Sequence, residues 1–273
     1  MKGCRSGREK RDWMKEITEL LRQTIQEAGE VLREGFMSSD GSYERKDALE
    51  LVTKWDMQSE QIIRERILGV FPSHAIYGEE GGGVLTDEGW LWIVDPLDGT
   101  TNFIHRHPYF CVSIGCYKDG MPVAGGVYAP ISNELFLAER GGGAYKNGVK
   151  MRVSAVSELN LALFVTGYPY KREGKIERAK TLLTNALTSV QCIRRMGSAA
   201  LDLCYTANGV FDIYIEFDLR PWDVAAGALI LKEAGGMISL CSGEDFRLDR
   251  GEVFASNGVL HSLAIANLLM GVS

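Results

Sequence analysis

The run Trp90-Leu91-Trp92-Ile93-Val94 breaks off at Asp95-Pro96-Leu97-Asp98-Gly99-Thr100-Thr101-Asn102-Phe103, and no other stretch constrains the fold so tightly. Five successive apolar residues, rich in aromatic and β-branched side chains, read as a buried strand rather than a helix. Pro96 cannot donate to a sheet ladder, so the strand is expected to end there. Asp98-Gly99-Thr100-Thr101 then reads as a helix start with backbone N–H groups pointing outward. Carboxylates for a cation and amides for an anion thus lie side by side, which points to metal-assisted chemistry on a phosphate. An isolated D-x-x-D can equally be an acidic turn that caps a helix. Its position after a buried strand, where open α/β sheets present ligands, favours a site.

With 273 residues, 45% of them hydrophobic, the chain can bury a large core as one domain or two coupled halves. A net charge of −6 argues against direct nucleic-acid binding, because phosphate backbones select basic surfaces. No apolar run approaches the roughly 18 residues of a membrane span. The basic opening is followed by no apolar segment, so residues 1–11 are expected to be a flexible tail rather than a secretory signal. Cys4, Cys111, Cys116, Cys192, Cys204 and Cys241 show no C-x-x-C pairing and are expected to be buried thiols, which points to the cytoplasm.

Apolar positions at Trp13, Ile17, Leu20, Leu21, Ile25, Ala28, Val31 and Leu32 predict an amphipathic helix over about 12–37. A second helix is expected from Met57 to Leu68, with Asp56 as its N-cap. Ala75-Ile76-Tyr77 is a short strand running into Gly78-Glu79-Glu80, and the Gly81-Gly82-Gly83 tract suggests a mobile loop. Strand-like runs follow at 109–117, 121–128 and 134–139, with turns at Lys118-Asp119-Gly120 and Asn147-Gly148. Past about residue 154, strands alternate with helices near 175–187, 198–207, 222–234 and 260–269. In Pro221-Trp222-Asp223, Asp223 again reads as a cap. Residues 12–273 are therefore expected to be one catalytic domain, with halves of about 12–153 and 154–273.

Together, Gly78-Glu79-Glu80, Asp95-Pro96-Leu97-Asp98-Gly99-Thr100-Thr101-Asn102-Phe103 and Trp222-Asp223-Val224-Ala225-Ala226-Gly227 resemble the inositol monophosphatase family of magnesium-dependent, lithium-sensitive phosphomonoesterases. The resemblance covers nearly the whole chain from about residue 12. It implies an α/β (α+β) fold, an α-β-α-β-α layered sandwich, assembled as a homodimer. It also implies two or three Mg²⁺ per site: Glu79, Asp95 and the Leu97 carbonyl at the first ion, and Asp95, Asp98 and Asp223 at the second. Mg²⁺ seeks about six hard oxygens at roughly 2.1 Å, which such residues supply. Thr100, oriented by Asp56, would contact a water activated by the metals, with Glu79 as the third catalytic residue. Asp98, Gly99, Thr100, Ser198, Ala199, Glu216 and Asp223 would line the substrate.

The implied reaction is hydrolysis of a small phosphorylated polyol or sugar, foremost inositol monophosphate. Basic and aromatic residues in Gly167-Tyr168-Pro169-Tyr170-Lys171-Arg172 and Arg194-Arg195 leave fructose 1,6-bisphosphate open as an alternative. Histidinol phosphate is a further possibility. A protein-binding role in a transcription complex is the alternative from a different class. His105 and His107, at i, i+2 near a proline, do not suit a zinc site and are expected in structural or rim roles.

Overall fold

In the computed structural model the described residues are 7–38, 42–45, 51–168 and 176–272, with backbone alone described for 7–12. Helix α1 (Gly7–Met37) buries Ile17, Leu21, Thr24, Ile25, Ala28 and Leu32, whose three-to-four-residue spacing sets them on one face. Helical backbone is described from Gly7 onward, and residues 1–6 of the expected tail lie outside the described residues. Strands β1 (Glu44–Arg45) and β2 (Leu51–Val52) pair antiparallel ahead of α2 (Lys54–Val70).

Helix α2 begins earlier than expected because Thr53, and not Asp56, is its N-cap. The Thr53 hydroxyl accepts from the Trp55 N–H at 3.1 Å, and Asp56, one turn in, accepts from the Thr53 N–H at 2.9 Å. This reciprocal capping box satisfies two amides that a helix start leaves unpaired.

The chain continues through β3 (Ala75–Gly78), β4 (Trp90–Asp98), α3 (Thr100–Ile104), β5 (Cys111–Lys118), β6 (Met121–Ala129), β7 (Glu134–Glu139), β8 (Gly143–Lys146) and β9 (Val149–Lys150). These strands form one seven-stranded sheet in chain order, with β3 parallel to β4 and the other neighbours antiparallel. The turns expected at Asp119-Gly120 and Asn147-Gly148 are present, each with two positive φ angles.

Pro96 does not end β4. Asp95 pairs with Ser113 and Asp98 with Cys111, so Pro96 and Leu97 together oppose one residue in a bulge. A bulge tolerates a residue without an N–H. It also shifts the side-chain alternation by one, so that Asp95 and Asp98, which a regular strand would point to opposite faces, can share one.

The second half runs β10 (Leu163–Thr166), α4 (Ile176–Ser189), β11 (Cys192–Arg194), α5 (Ala199–Ala207), β12 (Ile213–Phe217), α6 (Pro221–Glu233), β13 (Met237–Ser239), β14 (Glu252–Ser256) and α7 (His261–Leu268). Its sheet has the order β11-β10-β12-β14-β13, parallel among the first three strands and antiparallel thereafter.

Three apolar clusters join these elements into an α-β-α-β-α sandwich. Ile25 and Ile63 from α1 and α2 pack with Trp92, Val94 and Ile114 on the outer face of the first sheet. Leu203 and Ile230 from α5 and α6 pack with Val127, Val165 and Tyr214 between the sheets. Leu182 and Ala264 from α4 and α7 cover Phe164, Ile215 and Phe254 outside the second sheet. Helix α6 lies close on the first sheet: a Cβ on Gly125 would stand 3.0 Å from the Ala226 carbonyl oxygen. Small residues on both partners permit that approach, which carries the start of α6 toward the end of β4.

Candidate active site

Asp95 is buried at the β4 bulge, where its Oδ1 accepts from the Leu97 N–H at 3.0 Å. Burial pushes its carboxyl well above the usual range, and the charges of Glu79, Asp98 and Asp223 push it further. Glu79 follows β3 directly, and its N–H donates to the Val94 carbonyl at 3.2 Å, one residue before Asp95. Parallel pairing of β3 with β4 thus sets the first two acids next to each other.

Asp98 is gripped from the other half. Its Oδ2 accepts from the Ser198 hydroxyl and the Ala200 N–H, both at 2.7 Å. Ser198 is the N-cap of α5 and Ala199 its first residue, so the start of α5 abuts the end of β4. Loss of solvent raises the Asp98 carboxyl to about 6, opposed by these hydrogen bonds and by Arg195. Asn102 strengthens the seam, donating to the Tyr109 carbonyl at 2.7 Å and the Met196 carbonyl at 2.9 Å. Gly99 caps α3 at φ 96, where a Cβ would come within 3.0 Å of the Tyr109 carbonyl oxygen.

Asp223 occupies at α6 the position that Asp56 occupies at α2. Arg220 is the cap, Pro221 opens the helix, and Asp223 Oδ2 accepts from the Arg220 N–H at 2.6 Å. Loss of solvent raises the Asp223 carboxyl well above its usual range, reinforced by Asp98, Glu79 and Glu216. Asp56 itself is buried, and its Oδ2 accepts from the Thr53 hydroxyl at 2.5 Å. The Thr100 hydroxyl lies 3.3 Å from Asp56 Oδ1 and 3.0 Å from the Leu97 carbonyl oxygen. Burial raises Asp56 to about 6, with the Thr53 hydrogen bonds opposing it.

On the far side, Glu216 at the end of β12 accepts from the Tyr214 hydroxyl at 2.8 Å. Burial lifts its carboxyl to about 7, against the pull of Tyr214 and Arg195. A Cβ on Gly167 would stand 1.8 Å from Glu216 Oε1, so the absence of a side chain there makes the room for Glu216. Arg195 acts electrostatically on Asp98, Asp202 and Glu216, and its guanidinium lies over the Tyr168 ring at 5.9 Å. Arg194 instead donates to its neighbouring Ile193 carbonyl at 3.0 Å. Positions 169–172 of the expected basic loop lie outside the described residues.

The structure therefore brings Glu79, Asp95, Asp98 and Asp223 into one electrostatic group, with Thr100 and Asp56 on one flank and Ser198, Ala199 and Glu216 on the other. Acids that raise one another in this way form a local field suited to a hard cation, and their oxygens match the donors Mg²⁺ takes. Among the described residues no three His, Cys, Asp or Glu side chains close into a finished metal cage. Asp95, Asp98 and Asp223 instead engage the N–H and hydroxyl groups named above. The fit is one of charge and donor chemistry.

His105 and His107 are exposed, in keeping with a rim position. Cys111, Cys116, Cys204 and Cys241 are buried thiols as expected, whereas Cys192 is exposed on the edge strand β11. Sequence reasoning gives no role to Asn102, Tyr214, Gly167 or Glu60. For Glu60 a signal exists: Asp56, Ser59 and Glu60 fall in register with the apolar Ile63 and Ile67, placing charge on a face that should be apolar.

A layered fold with clustered acids at a seam, flanked by a hydroxyl and backbone amides, defines a hydrolase of the phosphatase class. The chain belongs to the inositol monophosphatase family, whose model matches residues 13–270. Inositol monophosphatase 2 of Solanum lycopersicum is 43% identical over 255 residues, covering 90% of this chain and 96% of that one. A Nus factor SuhB of Pseudomonas aeruginosa is 40% identical over 251 residues, covering 89% and 92%. The solved inositol monophosphatase from Anabaena superposes with a TM-score of 0.85 at 36% identity, covering 95% of this chain and 97% of that one. Among the described residues no helix is long and apolar enough to cross a membrane.

Proposed function

We propose that this chain hydrolyses small phosphate monoesters, inositol monophosphate foremost, with two or three Mg²⁺ held by Glu79, Asp95, the Leu97 carbonyl, Asp98 and Asp223. The observation that carries the reading is the convergence of Glu79, Asp95, Asp98 and Asp223, drawn from the ends of β3 and β4 and the start of α6. Bound Mg²⁺ supplies charge neutralisation for attacking and leaving oxygens and makes water a better nucleophile.

The chain's own residues do the remainder. The Thr100 hydroxyl donates a hydrogen bond to Asp56 and so offers an oxygen lone pair that aligns the attacking water. Glu79 lies beside Asp95 and accepts the proton that this water releases. The Gly99 and Thr100 amides take phosphate oxygens, where negative charge is favoured. Glu216, held by Tyr214, faces the alcohol portion and accepts from its hydroxyls, with Ser198 and Ala199 as the adjoining wall. The departing oxygen takes its proton from a water held near Asp223. A homodimer in the cytoplasm belongs to the same proposal, and sedimentation tests its first part.

A phosphate-release panel with Mg²⁺, with and without lithium, tests the reading. It compares inositol 1-phosphate, fructose 1,6-bisphosphate, histidinol phosphate and 3′-phosphoadenosine 5′-phosphate. Inositol 1-phosphate should lead and lithium should inhibit; intact Mg²⁺-dependent release by Asp95→Asn sinks the mechanism. Arg195, facing the site beside Tyr168, favours fructose 1,6-bisphosphate as the second substrate. Similarity to a protein named Nus factor supports a separate protein-binding role, which would survive Asp95→Asn in a transcription-complex pull-down.

A further inference from the structure

We infer that Glu60 and Arg64 on α2 are positioning residues for Glu79, clamping the Gly78–Gly82 loop so that its carboxylate is presented to Asp95. The inference rests on the metal-site reading above. Glu60 is 2% exposed, and both of its oxygens are engaged by the loop. Its Oε2 accepts from the Glu80 N–H and its Oε1 from the Gly81 N–H, each at 2.8 Å. Arg64 Nε donates to Glu60 Oε1 at 2.7 Å, and Arg64 Nη2 donates to the Gly82 carbonyl at 2.8 Å. The loop closes on itself through the Gly78 N–H and the Gly82 carbonyl at 3.0 Å. The tract that composition alone would make mobile is tied on both sides.

Space supports the same assignment. A Cβ on Gly78 would lie 2.3 Å from Glu60 Oε1, and one on Gly81 would lie 2.5 Å from it. These glycines are needed for the approach of a carboxylate to backbone, and neither has a positive φ. A buried carboxylate costs desolvation energy that a neutral or apolar residue would not, so its presence here calls for a function. Three polar residues of α2 each reach a different part of the site. Asp56 meets Thr100, Ser59 donates to the Pro96 carbonyl at 2.9 Å, and Glu60 holds the loop. One rigid helix thereby sets three pieces of the site against one another.

Glu60→Gln and Arg64→Ala test the clamp, with Glu79→Gln as the control. Arg64 is partly exposed, so its variant keeps the test open if Glu60→Gln folds poorly. In metal-free protein, amide exchange over residues 78–83 should speed up roughly tenfold in either variant, while 54–70 stays protected. The Mg²⁺ concentration that half-saturates phosphate release should rise roughly tenfold, with kcat at saturating Mg²⁺ within about threefold of the parent. Unchanged exchange, or a fall in kcat at unchanged Mg²⁺ dependence, overturns the inference. If Glu79→Gln shifts the Mg²⁺ dependence and neither clamp variant does, the clamp alone is wrong. If Glu79→Gln leaves it unshifted, the metal-site reading fails and the inference falls with it.

Discussion

Asp56 and Asp223 occupy the same local position in the two halves of the molecule, one turn into a helix and bonded back to the N–H of its cap. Their surroundings separate them. Asp56 looks out on two threonine hydroxyls and rises only to about 6. Asp223 looks out on Asp98, Glu79 and Glu216 and is pushed well above the usual carboxylate range. One capping motif thus leaves its carboxylate between two threonine hydroxyls in the first half and makes it a fourth member of an acidic cluster in the second. A cap and a functional acid are not competing readings of an aspartate, because its two oxygens can take different partners.

The largest expected effect of breaking this pair is on catalysis. Asp223→Asn should lower phosphate release by roughly a hundredfold to a thousandfold, as expected when a group stabilising transition-state charge is lost. In the same variant the relief of like charge should outweigh the weakened bond from the Arg220 N–H, raising the metal-free unfolding midpoint by roughly 2 °C. Asp56→Asn should do the opposite on stability, costing about 1 kcal/mol with the damaged capping box. Its activity should fall by about tenfold to a hundredfold at nearly constant KM, read by steady-state kinetics. Equal behaviour of the two variants would erase the distinction between them.

A smaller effect is expected at the seam. Ser198→Ala removes both the cap of α5 and a hydrogen bond to Asp98, and should cost about 1 kcal/mol in denaturant unfolding. Its half-saturating Mg²⁺ should shift by a few-fold only, because the Ala200 N–H still holds Asp98.

The last expected effect is on pH-dependent stability, and again it compares the halves. His74 in the first is buried and accepts from the Trp92 ring N–H at 3.0 Å; His261 in the second lies between the Ser256 and Ser239 hydroxyls. Burial lowers each from an ordinary 6.5 to about 4. Between those values the unfolded chain binds protons that these folded histidines refuse, so their contribution to stability falls as pH drops through 6.5 and levels off below about 4, against the opposite contribution of the raised carboxyls of Asp56, Asp98 and Glu216. Replacing either histidine with a neutral residue should make the unfolding midpoint, relative to the parent, rise as pH drops over that window.

Much of this is legible in the amino-acid order. The periodicity of α1, the two-residue turns at Asp119-Gly120 and Asn147-Gly148, and the strand before Asp95 all follow from local preferences that no distant contact overrides. The position of Asp95, Asp98 and Asp223 as site candidates is legible too, through three short motifs. Pro96 is misleading because its effect depends on a partner strand: a missing N–H ends a regular ladder but fits a bulge opposite β5. Thr53 and Asp56 compete for the same position in the sequence because either residue type can cap, and only the backbone shows where the helix begins.

By itself, then, the sequence determined the elements, their amphipathic faces and the acids available for chemistry, since each depends on residues within a turn or two of one another. Tertiary structure alone decided which acids repel one another, which of them a threonine or tyrosine steadies, and that Glu60 lies against the Glu79 loop. Burial and Coulomb interaction depend on distance in space, and residues from 60 to 223 come within that range only when α6 settles on the first sheet and α5 closes on Asp98.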